Sequence, residues 1–449
     1  MTPWLLVILL GWTTFAFAGV YLWTLWLPAL LSIWLVLAAR PWRRPDEDAR
    51  WVERPLALIV CLVILQLVPL PPVLVDVLSP AARRTWRALA LAVPSWIPLS
   101  IDPRSGAWAA LIAIITIVVF VSARRLLRST GIRIFARGLS AIGLIVSAVG
   151  ITQDATGSGL MYWSRRPLQE GAPPFGPFVD RNSFATWVLL AIPLSVGYLI
   201  AHTTVHHRHS RAGVRWTVRL RDALDGRAIW LTASVTFMLI ALAATLSRSG
   251  MTSLAVAVLL GAWLGSRRQH RAGRATSWIA AVCAALVVVG VARIDPLVVG
   301  RRFAAARTSA ADRFVIWRET LPIVHDFWLT GTGAGTYETA MLVYQRSSPG
   351  VRFNQAHNHY LQAAAEGGVL LTVPLGAALW SFARLAARKL RADHSGMYWL
   401  RVGAACGLAA VAAQSLWDTG LTAPANAILA AIAAAIVVHR EEIVREPHS

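Results

Sequence analysis

The sequence predicts an all-α polytopic membrane protein with about twelve transmembrane helices and one large outer loop. Of its 449 residues, 56% are hydrophobic and 14% charged, against about 25% charged in a soluble domain. Mean hydropathy is +0.56. Apolar runs recur at the length needed to cross a hydrocarbon core of about 30 Å, roughly 20 residues each. The runs are continuous rather than short and alternating, which excludes a β-barrel.

The predicted spans lie at about 4–20, 23–39, 56–76, 107–123, 138–153, 183–201, 228–246, 250–265, 277–293, 358–383, 400–416 and 420–438. Residues 1–153 carry five helices, 183–293 four more, and 358–449 the last three with a tail. Residues 77–106, 154–182 and 294–357 connect them on one face. The last of these is the longest, and long connections in compact proteins are usually functional. Ala16-Phe17-Ala18 resembles a leader-cleavage site, but no basic stretch precedes it and a second apolar run follows at once. The first run is therefore read as a span.

The net charge of +21 comes almost wholly from arginine, with Lys389 the one lysine. The arginines concentrate in short loops at 40–54, 124–137, 208–227, 267–274 and 384–401. Such loops mark the cytoplasmic side, which places both termini in the cytoplasm. The same rule accounts for the basic charge without nucleic acid. Cys61, Cys283 and Cys406 lie in apolar runs and form no CxxC pair, so neither a metal nor a disulfide is expected.

Four polar constellations fall on the opposite, outer face. Gly176-Pro177-Phe178-Val179-Asp180-Arg181-Asn182-Ser183 ends a loop and opens a span, with Asn182 or Ser183 placed to cap the helix and Arg181 placed at an anion-favouring N-terminus. Ser247-Arg248 sits in a tight hairpin. Its arginine either snorkels or clamps phosphate oxygens. Arg313 and Trp317 are four apart and share a helix face. Gly331, Gly333 and Gly335 follow, but position 336 is Thr, so no dinucleotide fingerprint results. The glycines are expected to let backbone turn or approach closely.

The fourth is Ala356-His357-Asn358-His359-Tyr360-Leu361-Gln362. Two histidines two residues apart do not share a metal as an i, i+4 pair does, and no metal or other cofactor is expected. Either suits general-base work on a hydroxyl, and Asn358 suits a helix cap. Glu366 points away from His357 and is expected to be structural. Asp418, in another short outer hairpin, either orients a histidine or caps the last span. Cations for a leaving anion and a base for an incoming hydroxyl are what group transfer from a pyrophosphate requires.

In order and spacing, residues 170–440 resemble the O-antigen ligase/polymerase family of bacterial envelope glycosyltransferases, the WaaL-like or Wzy_C superfamily. The resemblance rests on Gly176 to Asn182, Ser247-Arg248, Arg313 to Tyr337, and above all His357-Asn358-x-Tyr360-Leu361-Gln362-x-x-x-Glu366-Gly367. It implies a GT-C-like fold with a large periplasmic loop, an inner-membrane location, and metal-independent transfer of a glycan from undecaprenyl pyrophosphate. It implies His357 as the base that activates the acceptor hydroxyl, and Arg248 and Arg313 as pyrophosphate ligands. Related sequences often carry Asn where this chain has Asp180. A carboxylate there is expected to pair with Arg181 and to rank Arg181 below the other two arginines. The acceptor is expected to be lipid A-core, with a repeat-unit polymerase or a protein O-oligosaccharyltransferase as alternatives. A polysaccharide flippase is a reading of a different class, but it would place polar groups at mid-membrane broken helices.

Overall fold

A computed structural model describes residues 2–42, 47–89, 94–157, 159–166, 173–209, 225–267, 312–348 and 350–439. The chain is a multi-pass helical membrane protein. Its helices are α1 (Thr2–Phe15), α2 (Trp26–Ala39), α3 (Arg50–Leu65), α4 (Pro72–Leu78), α5 (Pro80–Leu89), α6 (Pro103–Leu126), α7 (Ser129–Thr156), α8 (Arg181–His209), α9 (Gly226–Thr245) and α10 (Arg248–Ser266). There follow α11 (312–326), α12 (Tyr337–Tyr344), α13 (His359–Ala392), α14 (Tyr398–Gln414) and α15 (Pro424–Val437). Among the described residues no β-strand forms, only isolated bridges such as Phe175–Phe178.

Seven described helices are long and apolar enough to cross a membrane. They correspond to the runs expected at 23–39, 107–123, 138–153, 183–201, 228–246, 250–265 and 358–383. The runs at 4–20, 400–416 and 420–438 form shorter helices, α1, α14 and α15. The run at 277–293 lies outside the described residues. The run expected at 56–76 is not one helix: α3 stops at Leu65 and α4 begins at Pro72. Pro69, Pro71 and Pro72 explain the break, because a residue before proline is driven out of the helical region.

The principal core lies inside the bundle, around Trp187, Phe135, Phe175, Phe178 and Phe184. Helix α8 is its axis and packs most closely on α14. A Cβ on Gly197 would stand 2.2 Å from the Trp399 carbonyl, and one on Gly403 2.2 Å from that of Pro193. Small residues of this kind let membrane helices touch backbone to backbone.

The helix ends sort into two groups. At the arginine-rich end, Arg401 Nε donates to Asp393 Oδ2 at 2.6 Å and Nη1 to the Val437 carbonyl at 2.7 Å. Arg124 and Arg125 both reach Glu53, and Lys389 reaches Asp48. The start of α7 meets Pro3 there. Helices α1 and α15 thus begin and finish, respectively, at this same end. The opposite end gathers the start of α8, the α9–α10 hairpin, the start of α13 and the α14–α15 loop.

A second, smaller core stands on that opposite end. It joins Val75, Ala81, Ala82, Ile97 and Ile101 to Ile323, Phe327, Tyr337, Met341 and Ala356. Two of the segments assigned to one face from sequence, 77–106 and the described part of 294–357, therefore fold against each other.

Candidate active site

The glycine cluster docks this second core onto α13. Helix α13 breaks at Gly368, whose φ of 54° and ψ of −164° are not helical. The break frees backbone groups that residues 328–333 take up. Val369 N donates to the Trp328 carbonyl, Leu370 N to that of Leu329, Thr332 N to that of Ala365 and Gly333 N to that of Glu366. A Cβ on Gly331 (φ +68°) would lie 2.1 Å from the Glu366 carbonyl oxygen, so only glycine fits. The Glu366 carboxylate accepts from the amides of Gly335 and Tyr337 and from Gln362 Nε2. These bonds tie the glycine loop to α13.

Gln66 completes the joint. Its side chain donates to the Thr330 carbonyl at 2.7 Å and accepts from Ala334 N at 3.2 Å. Sequence reading missed it. The signal available was a lone glutamine closing an apolar run before a proline cluster.

With the loop anchored, residues 355–360 are held across the helix ends. Asn358 Oδ1 accepts from Leu361 N, so it caps α13 as expected. His359 N donates to the Ser415 carbonyl and Tyr360 Oη to that of Ala412. Ala356 N donates to Gln362 Oε1, and Trp317 Nε1 to the Ala356 carbonyl. His357 between them takes a left-handed φ of 48°, uncommon outside glycine. Strain of this sort persists where surrounding bonds fix it, and it clusters at functional sites.

His357 and Asp418 share Arg313 as an electrostatic neighbour. Burial, and secondarily the positive charge of Arg313, push the His357 pKa down to about 4. Burial and the neighbouring Asp180 push Asp418 above the usual carboxylate range, against the pull of Arg313. Among the described residues His357 Nδ1 and Asp418 Oδ2 are buried without a hydrogen-bond partner, as is His359 Nδ1. Trp317 stacks on Trp417 with ring centroids 5.5 Å apart. Thr419 Oγ1 donates to Gln355 Oε1 at 2.5 Å, and Asp180 and Gln355 both line a small cavity of ≈ 90 Å³. Arg313 is thus within electrostatic reach of His357 and Asp418, and Asp180 of Asp418.

Helix α8 presents a different cap from the one expected. Asp180, not Asn182 or Ser183, caps it: Oδ1 accepts from Ser183 N at 2.8 Å. Arg181 pairs with Asp154 at 2.7 Å rather than with Asp180. The capping geometry turns the Asp180 carboxylate back onto its own helix, which leaves Arg181 to the end of α7. The Asn182 carbonyl accepts from Thr186 Oγ1 and Gln414 Nε2.

Arg248 opens α10 and is exposed. Ser247 caps that helix through Gly250 N, and Leu246 makes the turn with φ 55°. Gly250 abuts Ala185 of α8, which sets the hairpin at the same end as His357. Asp418 Oδ1 accepts from Thr419 N, a local loop bond rather than a cap for α15. Among the described residues no group of three or more His, Cys, Asp or Glu is placed to hold a metal ion.

Residues 233–376 match the family model described as O-antigen ligase, Wzy_C. The match, over 144 of the chain's 449 residues, supports the resemblance to the O-antigen ligase/polymerase superfamily read from the motifs. No curated protein matches the chain.

Proposed function

We propose that this protein is an inner-membrane glycosyltransferase that moves a glycan from undecaprenyl pyrophosphate to an acceptor hydroxyl at the periplasmic face, with lipid A-core as the acceptor. The observation that carries this is His357: half-buried, with a buried ring nitrogen that has no hydrogen-bond partner among the described residues, neutral at physiological pH and within electrostatic reach of Arg313, in a family-matched domain. In the reaction the acceptor oxygen bonds to the anomeric carbon as the carbon–oxygen bond to pyrophosphate breaks. The hydroxyl proton passes to the His357 imidazole, and the electron pair leaves with the pyrophosphate. Arg313 and Arg248 bind that leaving charge, and direct displacement inverts the anomeric carbon. No metal step is part of this scheme. Asn358 and Trp317 hold the His357 segment, and His359 and Asp418 stand behind it. Both termini lie in the cytoplasm on this reading.

Loss of a general base costs roughly 10²–10⁴-fold in rate. The test compares lipid-linked glycans in cells lacking the gene with those in cells complemented by His357→Ala. Long polymer stranded on the carrier in both strains is the expected result. Accumulated single repeat units would instead identify a polymerase. Full rescue by His357→Ala at equal protein abundance would refute the assignment of the base.

A further inference from the structure

The second core carries a cleft that the transfer chemistry does not use. It is open, holds ≈ 390 Å³, and is lined by Pro80, Ala81, Arg84, His325, Asp326 and Trp328. It exists only because α5, from one outer segment, packs against the end of α11, from the other. Trp328 is 60% exposed at its edge. Asp326 is fixed in place: Tyr344 Oη donates to Oδ2 at 2.8 Å, His325 Nδ1 lies 3.2 Å from Oδ1, and Arg84 lies 3.7 Å from Oδ2. We propose that this cleft is a saccharide-binding subsite, taking a sugar of the glycan chain at a distance from the reacting bond.

The donor set selects the ligand class. An indole offers a flat apolar face with a polar tip, which suits the C–H face of a pyranose. A carboxylate accepts from hydroxyls and a guanidinium donates to them. An anionic ligand would meet Asp326, whose burial is outweighed by Tyr344, His325 and Arg84, so that it stays ionised. An apolar ligand would strip water from Arg84 and Asp326 without replacing their hydrogen bonds. A neutral polyol meets neither obstacle. The volume lies in the range of about 300–1,000 Å³ found for ligand sites.

Placement ties the cleft to the transfer site. Arg313 stands in the first turn of α11 and Asp326 at its end. Thirteen residues of helix separate them by about 20 Å, the scale of a short oligosaccharide. Trp328 is also bonded through its carbonyl to the broken start of α13. The proposal rests on the transferase reading for its biological sense, but its test does not depend on turnover.

The full-length protein in detergent is titrated with the oligosaccharide released by mild acid from the host's own lipid-linked glycan. Binding is read by saturation-transfer difference NMR. Wild type and His357→Gln are expected to bind alike, because the base is not in the cleft. Trp328→Ala and Asp326→Asn are each expected to weaken binding at least tenfold. Trp328→Phe is expected to retain it, and Trp380→Ala, an exposed tryptophan on α13, to leave it unchanged. Undiminished binding by Trp328→Ala would overturn the proposal. So would a Trp328-dependent response to anionic phospholipid vesicles with none to the saccharide, which would make the cleft a membrane contact. Loss of transfer in His357→Gln does not alter this readout, so failure of the transferase reading and failure of the cleft are separate results.

Discussion

The two ends of the bundle treat buried charge differently. At the arginine-rich end Arg401 and Asp393 are each 1% exposed and bonded to one another, with a backbone carbonyl taking a further guanidinium donor. Glu53 likewise serves Arg124 and Arg125. At the other end His357 Nδ1 and Asp418 Oδ2 are buried without a hydrogen bond among the described residues. A buried polar group without a partner costs roughly 1–3 kcal/mol. On the proposed reading, the groups at the second end are those available to a ligand. The contrast is one of degree: at the first end both ring nitrogens of His439, and the Nε atoms of Arg124 and Arg125, are also buried without a hydrogen bond among the described residues, and burial with the Arg401 charge holds the His439 pKa down to about 4.

The largest effect should come from breaking the paired end. Removing one partner of a buried ion pair costs about 3–5 kcal/mol. Arg401→Leu should therefore sharply lower thermal stability and protein abundance, measured by thermal shift on the detergent-solubilised protein. The double variant Arg401→Leu with Asp393→Leu should recover part of that loss, because it leaves no unpaired charge. A single variant as stable as wild type would show that this end is not held by the pair. Asp418→Asn, by contrast, should leave the melting temperature within the range of a mild variant, because its Oδ2 makes no bond to lose.

A smaller effect is expected at the joint between the two cores. Alanine at Gly331 would need a left-handed φ of +68° and would place Cβ against the Glu366 carbonyl. Overpacking of this kind costs about 1–3 kcal/mol. Gly331→Ala should reduce transfer by shifting the 355–360 segment while the bundle stays folded, seen as lost transfer with near-normal helical circular dichroism. Full transfer by the variant would show that the joint does not position His357.

How much of this was readable without coordinates differs by region. The continuous apolar runs at 107–123 and 183–201 announce their helices because nothing polar interrupts them. The break after Leu65 was also present in the sequence, as three prolines within four residues, but hydrophobicity across 56–76 masked it. The His357 segment was legible because its polar residues open an apolar run. The partners of Arg181 and Asp180 were not legible: sequence neighbours compete with residues such as Asp154 that only the fold brings near. Gln66 was silent for the same reason, since its bonds span more than 260 positions. The roles of the glycines were half legible. Close approach was expected, but its object, the Glu366 carbonyl, is set by the kink in α13.

The smallest expected effect, and the one that most sharpens the contrast between the ends, is in pH dependence. On the proposed mechanism His357 acts as a base only when neutral. Its folded pKa of about 4 lies below the ordinary value of 6.5, so the His357 contribution to kcat/KM, which reports the free enzyme, should stay level from pH 8 down to about 5 and fall only near 4. Replacing Arg313 with Gln removes one of the two causes of that depression. The acid limb should then move to higher pH, on top of any loss of donor affinity seen in KM. The same depression has a stability consequence of fixed sign. Between pH 6.5 and 4 the unfolded chain binds a proton that the folded chain does not, so stability falls as pH falls through that window. His357→Gln should flatten that part of the curve. An acid limb for wild type near pH 6.5, unmoved by Arg313→Gln, would mean that His357 is hydrated in the working enzyme and that the unpaired end is not kept dry.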